Sequence, residues 1–227
     1  YSIIGLDPDL VFRVVGGRAE TARPVRGGPD IVTPCPEPPL DALRRLIADS
    51  RIALPDTLPP MAAGVFGYLG YDMVRLMETL GPANPDPIGI ADAVLVRPTV
   101  VIVFDAVKDT ITVVTPVRPD PAIPARVAHA RAVERLTAVV DALDRPLLKE
   151  PLAAVGEAPE AAPTSNTTPD EYAAMVARAK DFIAAGDIFQ VVLAQRFSTP
   201  FTLPAFALYR ALRRVNPAPF LFFLDFG

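Results

Sequence analysis

The segment Gly186-Asp187-Ile188-Phe189-Gln190-Val191-Val192-Leu193-Ala194-Gln195-Arg196-Phe197 places a primary amide in the middle of an apolar run. As an extended strand, it puts Ile188, Gln190, Val192, Ala194 and Arg196 on one face. Phe189, Val191, Leu193, Gln195 and Phe197 fall on the other, which is expected to be core. An amide left unpaired in such company costs ~1–3 kcal/mol, so Gln190 needs a hydrogen-bond partner. Backbone, a side chain, water or a ligand would serve, and a partner within the protein is the default for a buried polar group. A primary amide does not titrate near neutral pH, so Gln190 can position a reactant but cannot act as a base.

A second candidate is Asn216-Pro217-Ala218-Pro219-Phe220-Leu221. Two prolines stiffen a connection between a helix ending in Arg213 and Arg214 and an apolar run that reads as a strand. Read alone, such a turn is a rigid helix-to-strand link. Gly64-Val65-Phe66-Gly67-Tyr68-Leu69-Gly70 has glycine at every third position, but it lacks G-x-G-x-x-G and no Lys-Ser/Thr follows. Those glycines are expected to permit close packing rather than to cradle phosphate. His129 is the only histidine and Cys35 the only cysteine. A metal site of several such ligands, a Ser-His-Asp triad and an internal disulfide are therefore not expected. His129 reads as a solvated helix residue, and no metal-ligating set is assigned.

The elements that must carry these residues are punctuated by proline, which supplies 27 of the 227 residues, against an average near ~5%. The first 23 residues read as antiparallel strands, 40–50 as a short helix, 61–69 as a strand and 71–80 as a short helix. Residues 98–104 and 111–117 are β-branched runs separated by turn residues, the pattern of a hairpin. Val127, Ala130, Val133, Leu136, Val140 and Leu143 recur at spacings of three and four and predict the inward face of a helix. Residues 146–168 are rich in Ala, Pro, Glu and Thr without periodicity and read as a linker. Thr168, Pro169 and Glu171 then form a helix start, with Thr168 as N-cap. The stripe Tyr172, Met175, Val176, Ala179, Phe182 and Ile183 faces inward, and Gly186 ends the helix. A strand over 188–197, a helix with Leu208, Tyr209, Leu212 and Val215 inward, and a strand over 220–224 complete the reading.

Hydrophobic residues make up 51% and charged ones 21%, values of a folding globular chain. The net charge of −4, with basic residues dispersed among acidic ones, argues against nucleic acid or an anionic membrane as partner. No apolar stretch reaches the ~18–20 residues of a membrane span, no secretory signal is visible, and a reducing cytoplasm fits the cysteine usage. The chain starts at Tyr1 rather than Met and ends at Gly227 after an apolar run, and both ends read as cuts.

The run GDIFQVVLAQRF, followed by YRALRRVNPAPFLFFLDFG (residues 209–227), resembles the opening of the chorismate-binding region of anthranilate synthase component I. YSIIGLDP (residues 1–8) and GVFGYLGYD (residues 64–72) are similar to the same family's N-terminal lobe, in the same order. The resemblance implies an α+β fold of two lobes, antiparallel sheets flanked by helices, with the second lobe incomplete. Residues 1–145 would be the N-terminal regulatory lobe, 146–168 the linker, and 169–227 the start of the chorismate-binding lobe. The implied activity is conversion of chorismate and ammonia to anthranilate and pyruvate, with tryptophan as feedback inhibitor. Ammonia would come from glutamine through a partner amidotransferase subunit.

The same resemblance assigns roles by position. Relatives that add water to chorismate carry Lys where this chain has Gln190, so Gln190 would line the active site and suit ammonia, which arrives already nucleophilic. Pro219, Phe220 and Leu221 match a family motif ending Pro-Tyr-Met that contacts tryptophan, with Phe for Tyr and Leu for Met. The family's other tryptophan contact, a Ser in a Leu-Glu-Ser motif, would lie before Tyr1. The general acid, the glutamates that hold Mg²⁺ and the arginine for the substrate carboxylate would lie beyond Gly227, leaving residues 1–227 inactive alone. Two alternatives stand: the aminodeoxychorismate synthase large subunit, marked by a later Pro-Ile-Lys-Gly-Thr motif, and a non-enzymatic small-molecule binding module.

Overall fold

The computed structural model describes residues 1–25, 27–59, 61–146 and 162–227. The chain divides into two compact units, Tyr1–Leu147 and Leu148–Gly227.

The first unit is built on one antiparallel sheet. Its elements in chain order are β1 (Ser2–Val15), β2 (Arg18–Arg23), β3 (Ile31–Pro34), α1 (Pro39–Asp49), β4 (Phe66–Leu69), a 3₁₀ turn (Tyr71–Leu76), β5 (Ala93–Asp105), β6 (Thr110–Val114) and α2 (Ala125–Leu143). The strand order is β3-β2-β1-β5-β4, and β6 also pairs with β5. Two successive hairpins, β1–β2 and β2–β3, explain one half of the sheet. The other half rests on β5, which lies along β1 from Ala93 to Phe104 and carries β4 and β6 one after the other on its opposite edge.

One face of the sheet follows the strand period of two. Leu10, Phe12 and Val14 of β1, with Ala19 of β2 and Ala93 of β5, pack against Ala42 and Leu46 of α1 and Met73 of the 3₁₀ turn. Phe12 and Val14 are wholly buried, as are Val101 and Val103 in β5. Val100 and Ile102 between them are buried too, so both faces of β5 are covered there. That explains its near-continuous run of β-branched residues.

Several expectations need correction. The strand expected over 61–69 is confined to β4, because residues 61–65 turn and bend before pairing begins. The helix expected over 71–80 is a 3₁₀ turn ending at Leu76. β5 starts at Ala93, five residues before the expected strand at 98, and β3 was not foreseen. On α2, Val127, Val133, Val140 and Leu143 are exposed. The packed face is Ala128, Ala132, Arg135, Leu136 and Val139, with Ala132 the buried residue. The reason lies in Arg135, whose Nε donates to Thr115 Oγ1 at 2.9 Å while Thr115 Oγ1 donates to the Thr99 carbonyl at 2.8 Å. That polar tie turns the small-residue side of the helix to the protein.

The glycine-spaced segment packs closely, as expected. Gly67 lies in β4 with φ +156°, and a Cβ there would strike the Val94 carbonyl of β5. Gly70 donates its amide to the Asp92 carbonyl at 2.7 Å, where a Cβ would stand 2.8 Å from the same oxygen. Gly67→Ala should therefore lower the stability of the first unit by about 2 kcal/mol, read as a lower thermal midpoint, since the neighbour is backbone and cannot yield cheaply.

The second unit contains β7 (Thr164–Ser165), α3 (Pro169–Ala185), β8 (Phe197–Ser198) and α4 (Ala205–Val215). The α3 start is a full capping box: Glu171 N donates to Thr168 Oγ1 at 3.3 Å, and Thr168 N donates to Glu171 Oε2 at 2.8 Å. The donation from Thr168 N, and then one from Thr168 Oγ1 at 2.9 Å, hold the Glu171 carboxyl below the usual glutamate range. Gly186 ends α3 in the left-handed region at φ +80°. Most of the linker expected over 146–168 lies outside the described residues. Its last part is not irregular, because Thr164 and Ser165 pair with Ser198 and Phe197.

Candidate functional site

The strand expected over 188–197 is not formed. Only Phe197 and Ser198 pair, and residues 188–196 have no strand partner among the described residues. A strand is defined by a neighbour's hydrogen-bond ladder as much as by its own pattern, and here that neighbour is missing. The face expected to be core is open instead: Phe189 is 93% exposed, and Val191 and Phe197 are exposed as well. Gln190 is also exposed. Its amide is therefore open to solvent rather than enclosed among apolar side chains, and the penalty expected for a buried unpaired amide does not apply.

The run is held at its far end. Asn166 N donates to the Arg196 carbonyl at 3.0 Å, Arg196 N donates to Asn166 Oδ1 at 2.7 Å, and Ser165 Oγ donates to Gln195 Oε1 at 3.2 Å. Within α3, Tyr172, Met175, Val176 and Ala179 are half-buried along the expected stripe, whereas Phe182 and Ile183 are exposed. Cation and ring also meet, with Arg178 Cζ 5.6 Å from the Phe182 ring centroid.

α4 ends where the sequence indicates, with Arg213 and Arg214 in its last turn. Pro217 and Pro219 have no amide to donate, and the turn between them closes through Ala218 N to the Asn216 carbonyl at 2.8 Å. Phe220 projects 89% exposed, Pro219 is exposed, and Leu221 is half-buried. No strand forms over 220–224, again for want of a partner among the described residues. The inward set expected for α4 is corrected likewise: Leu208, Leu212 and Val215 are exposed. Of that set only Tyr209 packs as expected, with Phe206 and Phe223 at centroid distances of 5.8 and 5.8 Å, and Phe206 meets Phe223 edge-on at 5.2 Å.

Sequence reading missed a polar cluster in the first unit. The β1–β5 register shifts between Pro8 and Leu10, leaving Asp9 in a β-bulge beside Arg97. Arg97 is only 8% exposed. Its Nε donates to Asp9 Oδ1 at 2.7 Å, its Nη2 to Asp9 Oδ2 at 3.0 Å and its Nη1 to Ser50 Oγ at 3.2 Å. The guanidinium thus ties the bulge to Ser50, which caps the end of α1. An arginine inside a β-branched run was the one available signal, but its partner lies 88 residues away.

The remaining candidates do little chemistry. His129 is exposed on α2. The Cys35 thiol is pushed up from its ordinary pKa by burial and then by Glu37, which makes it a poor nucleophile. Among the described residues, no group of three or more His, Cys, Asp or Glu side chains is placed to hold a metal ion. No helix among them is long and apolar enough to cross a membrane.

A mixed fold with entirely antiparallel ladders, the GDIFQ run and the NPAPFL turn together define the class. Residues 29–227 match the family model described as chorismate binding enzyme, and the chain belongs to that family. It is similar over its whole length to anthranilate synthase component 1 of Cereibacter sphaeroides, at 49% identity over 228 residues and 45% of that protein. The same protein of Thermus thermophilus is 39% identical over 234 residues, again covering 100% of this chain and 45% of the relative. The solved structure of anthranilate synthase component I from Streptococcus pneumoniae superposes with a TM-score of 0.76 at 30% identity, covering 100% of this chain and 48% of that one. The expected family and α+β fold are therefore right, and the chain spans about half the length of the relatives it matches.

Proposed function

We propose that the protein carrying this chain is the large subunit of an anthranilate synthase. It takes chorismate, adds ammonia at C2 with loss of the C4 hydroxyl, and releases pyruvate to leave anthranilate. The observation that carries this reading is the 49% identity across the whole chain to a protein of that name. Residues 1–145 are the regulatory lobe and 169–227 open the chorismate-binding lobe.

Within that reading each candidate has a role its chemistry allows. Gln190, a neutral donor and acceptor, holds ammonia or substrate in place and leaves water unactivated. Pro219, Phe220 and Leu221 form a rigid apolar wall for the indole of tryptophan, which restrains the enzyme when bound. A glutamine amidotransferase subunit supplies the ammonia. The exposed apolar residues Phe189, Val192 and Phe222 support the reading, because they fit strands that need neighbours the relatives' longer chains would provide. Mg²⁺, where bound, would screen the carboxylates of the substrate. The described residues offer no ligand set for it.

The test uses the full-length protein with chorismate, ammonium and Mg²⁺, followed by anthranilate fluorescence. Product from the full-length protein and none from residues 1–227 is the expected pair of results. A product identified as 4-amino-4-deoxychorismate would transfer the protein to the aminodeoxychorismate synthases. No consumption of chorismate would end the enzymatic reading.

A further inference from the structure

The outer flank of α2 is apolar and open to solvent. Val133, Val140 and Leu143 are 45–49% exposed, and half-buried Leu136 stands between them at the margin of the packed face. Their spacings of three, four and three set them in one seam along the helix, the pattern of a helix that packs against another. Ala125 and His129 carry the seam toward the N-terminus, onto the lining of an open depression. Val117, Pro119 and Ile123 also line that depression, together with Arg118 and Asp120.

The charges of α2 run against its own dipole. The first turn holds Arg126 and no acidic residue, while the last turn holds Asp141 and no basic one, and Asp144 is the C-cap. A helix gains from anions at its N-terminus and cations at its C-terminus, so α2 alone is mismatched at both ends. Arg145, just past the cap, offsets only one of the two aspartates. An antiparallel neighbour of the same sequence removes the mismatch. Arg126 then lies against the C-terminal end of the other helix, and Asp144 against its N-terminal end.

We infer that α2 is a self-association face, on which a second copy of this chain lays its own α2 antiparallel about a two-fold axis. Full overlap of the two helices fixes the register. It sets Val133 against Leu136 of the second copy, His129 against Val140, and Arg126 beside Asp144, and symmetry makes each contact twice. Leu143 of the second copy then meets the depression beside Ala125 and His129. Arg131, Glu134 and Asp141 fall on the side of α2 turned away from the seam. The reversed charge at both ends is what selects a copy of this helix as occupant, since each end supplies what the other lacks. None of this rests on the chorismate reading.

Sedimentation equilibrium of the full-length protein, without any partner subunit, tests the face. A contact confined to a helix of ~28 Å should give a dimer with a dissociation constant on the order of 10 µM. Val140→Glu is expected to raise that constant about 100-fold, because symmetry counts the change twice and each carboxylate would enter an apolar seam. Arg126→Asp and Asp144→Arg should each raise it about 10-fold, and the double variant should restore it. Both single changes improve the match of α2 to its own dipole, so their loss of association cannot come from a loosened helix. This charge swap decides the matter if Val140→Glu does not fold. A monomer at every concentration would show that the longer chain itself covers the seam, and would overturn the assignment. A dimer unmoved by Val140→Glu, or a double variant no tighter than the single ones, would overturn it as well.

Discussion

Asp9→Ala is expected to destabilise the first unit by about 3–5 kcal/mol, the largest loss predicted for any single substitution in this chain. The magnitude follows from what remains behind rather than from what is removed. Arg97 is 8% exposed and keeps only Ser50 Oγ as an acceptor once the carboxylate has gone. A double variant, Asp9→Ala with Arg97→Met, should regain much of the loss, because the stranded charge leaves with its partner. Chemical denaturation of the parent, both single variants and the double variant gives the coupling directly. A loss below about 1 kcal/mol in Asp9→Ala would show that the pair behaves as a surface ion pair.

Phe220→Ala in the full-length protein is expected to weaken inhibition by tryptophan by about 10-fold or more, with uninhibited turnover largely kept. Phe220 stands almost fully exposed on a turn stiffened by Pro217 and Pro219. Its removal therefore costs the fold little, while an indole would lose its main aromatic contact. Allosteric couplings of ~1–3 kcal/mol correspond to about 5–150-fold in affinity, which leaves room for an effect of this size. Steady-state inhibition curves, with anthranilate fluorescence as readout, measure it. An unchanged inhibition constant would remove Pro219, Phe220 and Leu221 from the tryptophan site.

What could be read from the sequence was local. The start of α3 was legible because Thr168, Pro169 and Glu171 act within one turn, and its end because Gly186 meets the left-handed geometry alone. α1 and the β1–β2 hairpin were legible for the same reason. Features that depend on a distant neighbour were not. β5 was read five residues short because Arg97 and Pro98 interrupt its apolar run, and only its pairing with β1 carries the strand through them. On α2, alanines packed inward through the Arg135–Thr115 tie outweighed the valine periodicity. The candidate site shows the same division. The residue types at Gln190 and in the 216–221 turn could be named from sequence, but the strand expected around Gln190 requires a partner that the described residues do not supply.

The two-residue ladder of β7 and β8 has a consequence of its own. It gathers the chain between Ser165 and Phe197 into an arch, knotted by Asn166 and Arg196. Outside α3, the flexible part of such an arch becomes only about 0.6 kcal/mol harder to close for each doubling of its length. Homologous proteins can therefore lengthen or shorten the stretch that bears residue 190 at almost no thermodynamic penalty, provided the knot survives. Variation in reach would be tolerated there, and loss of the asparagine amide would not.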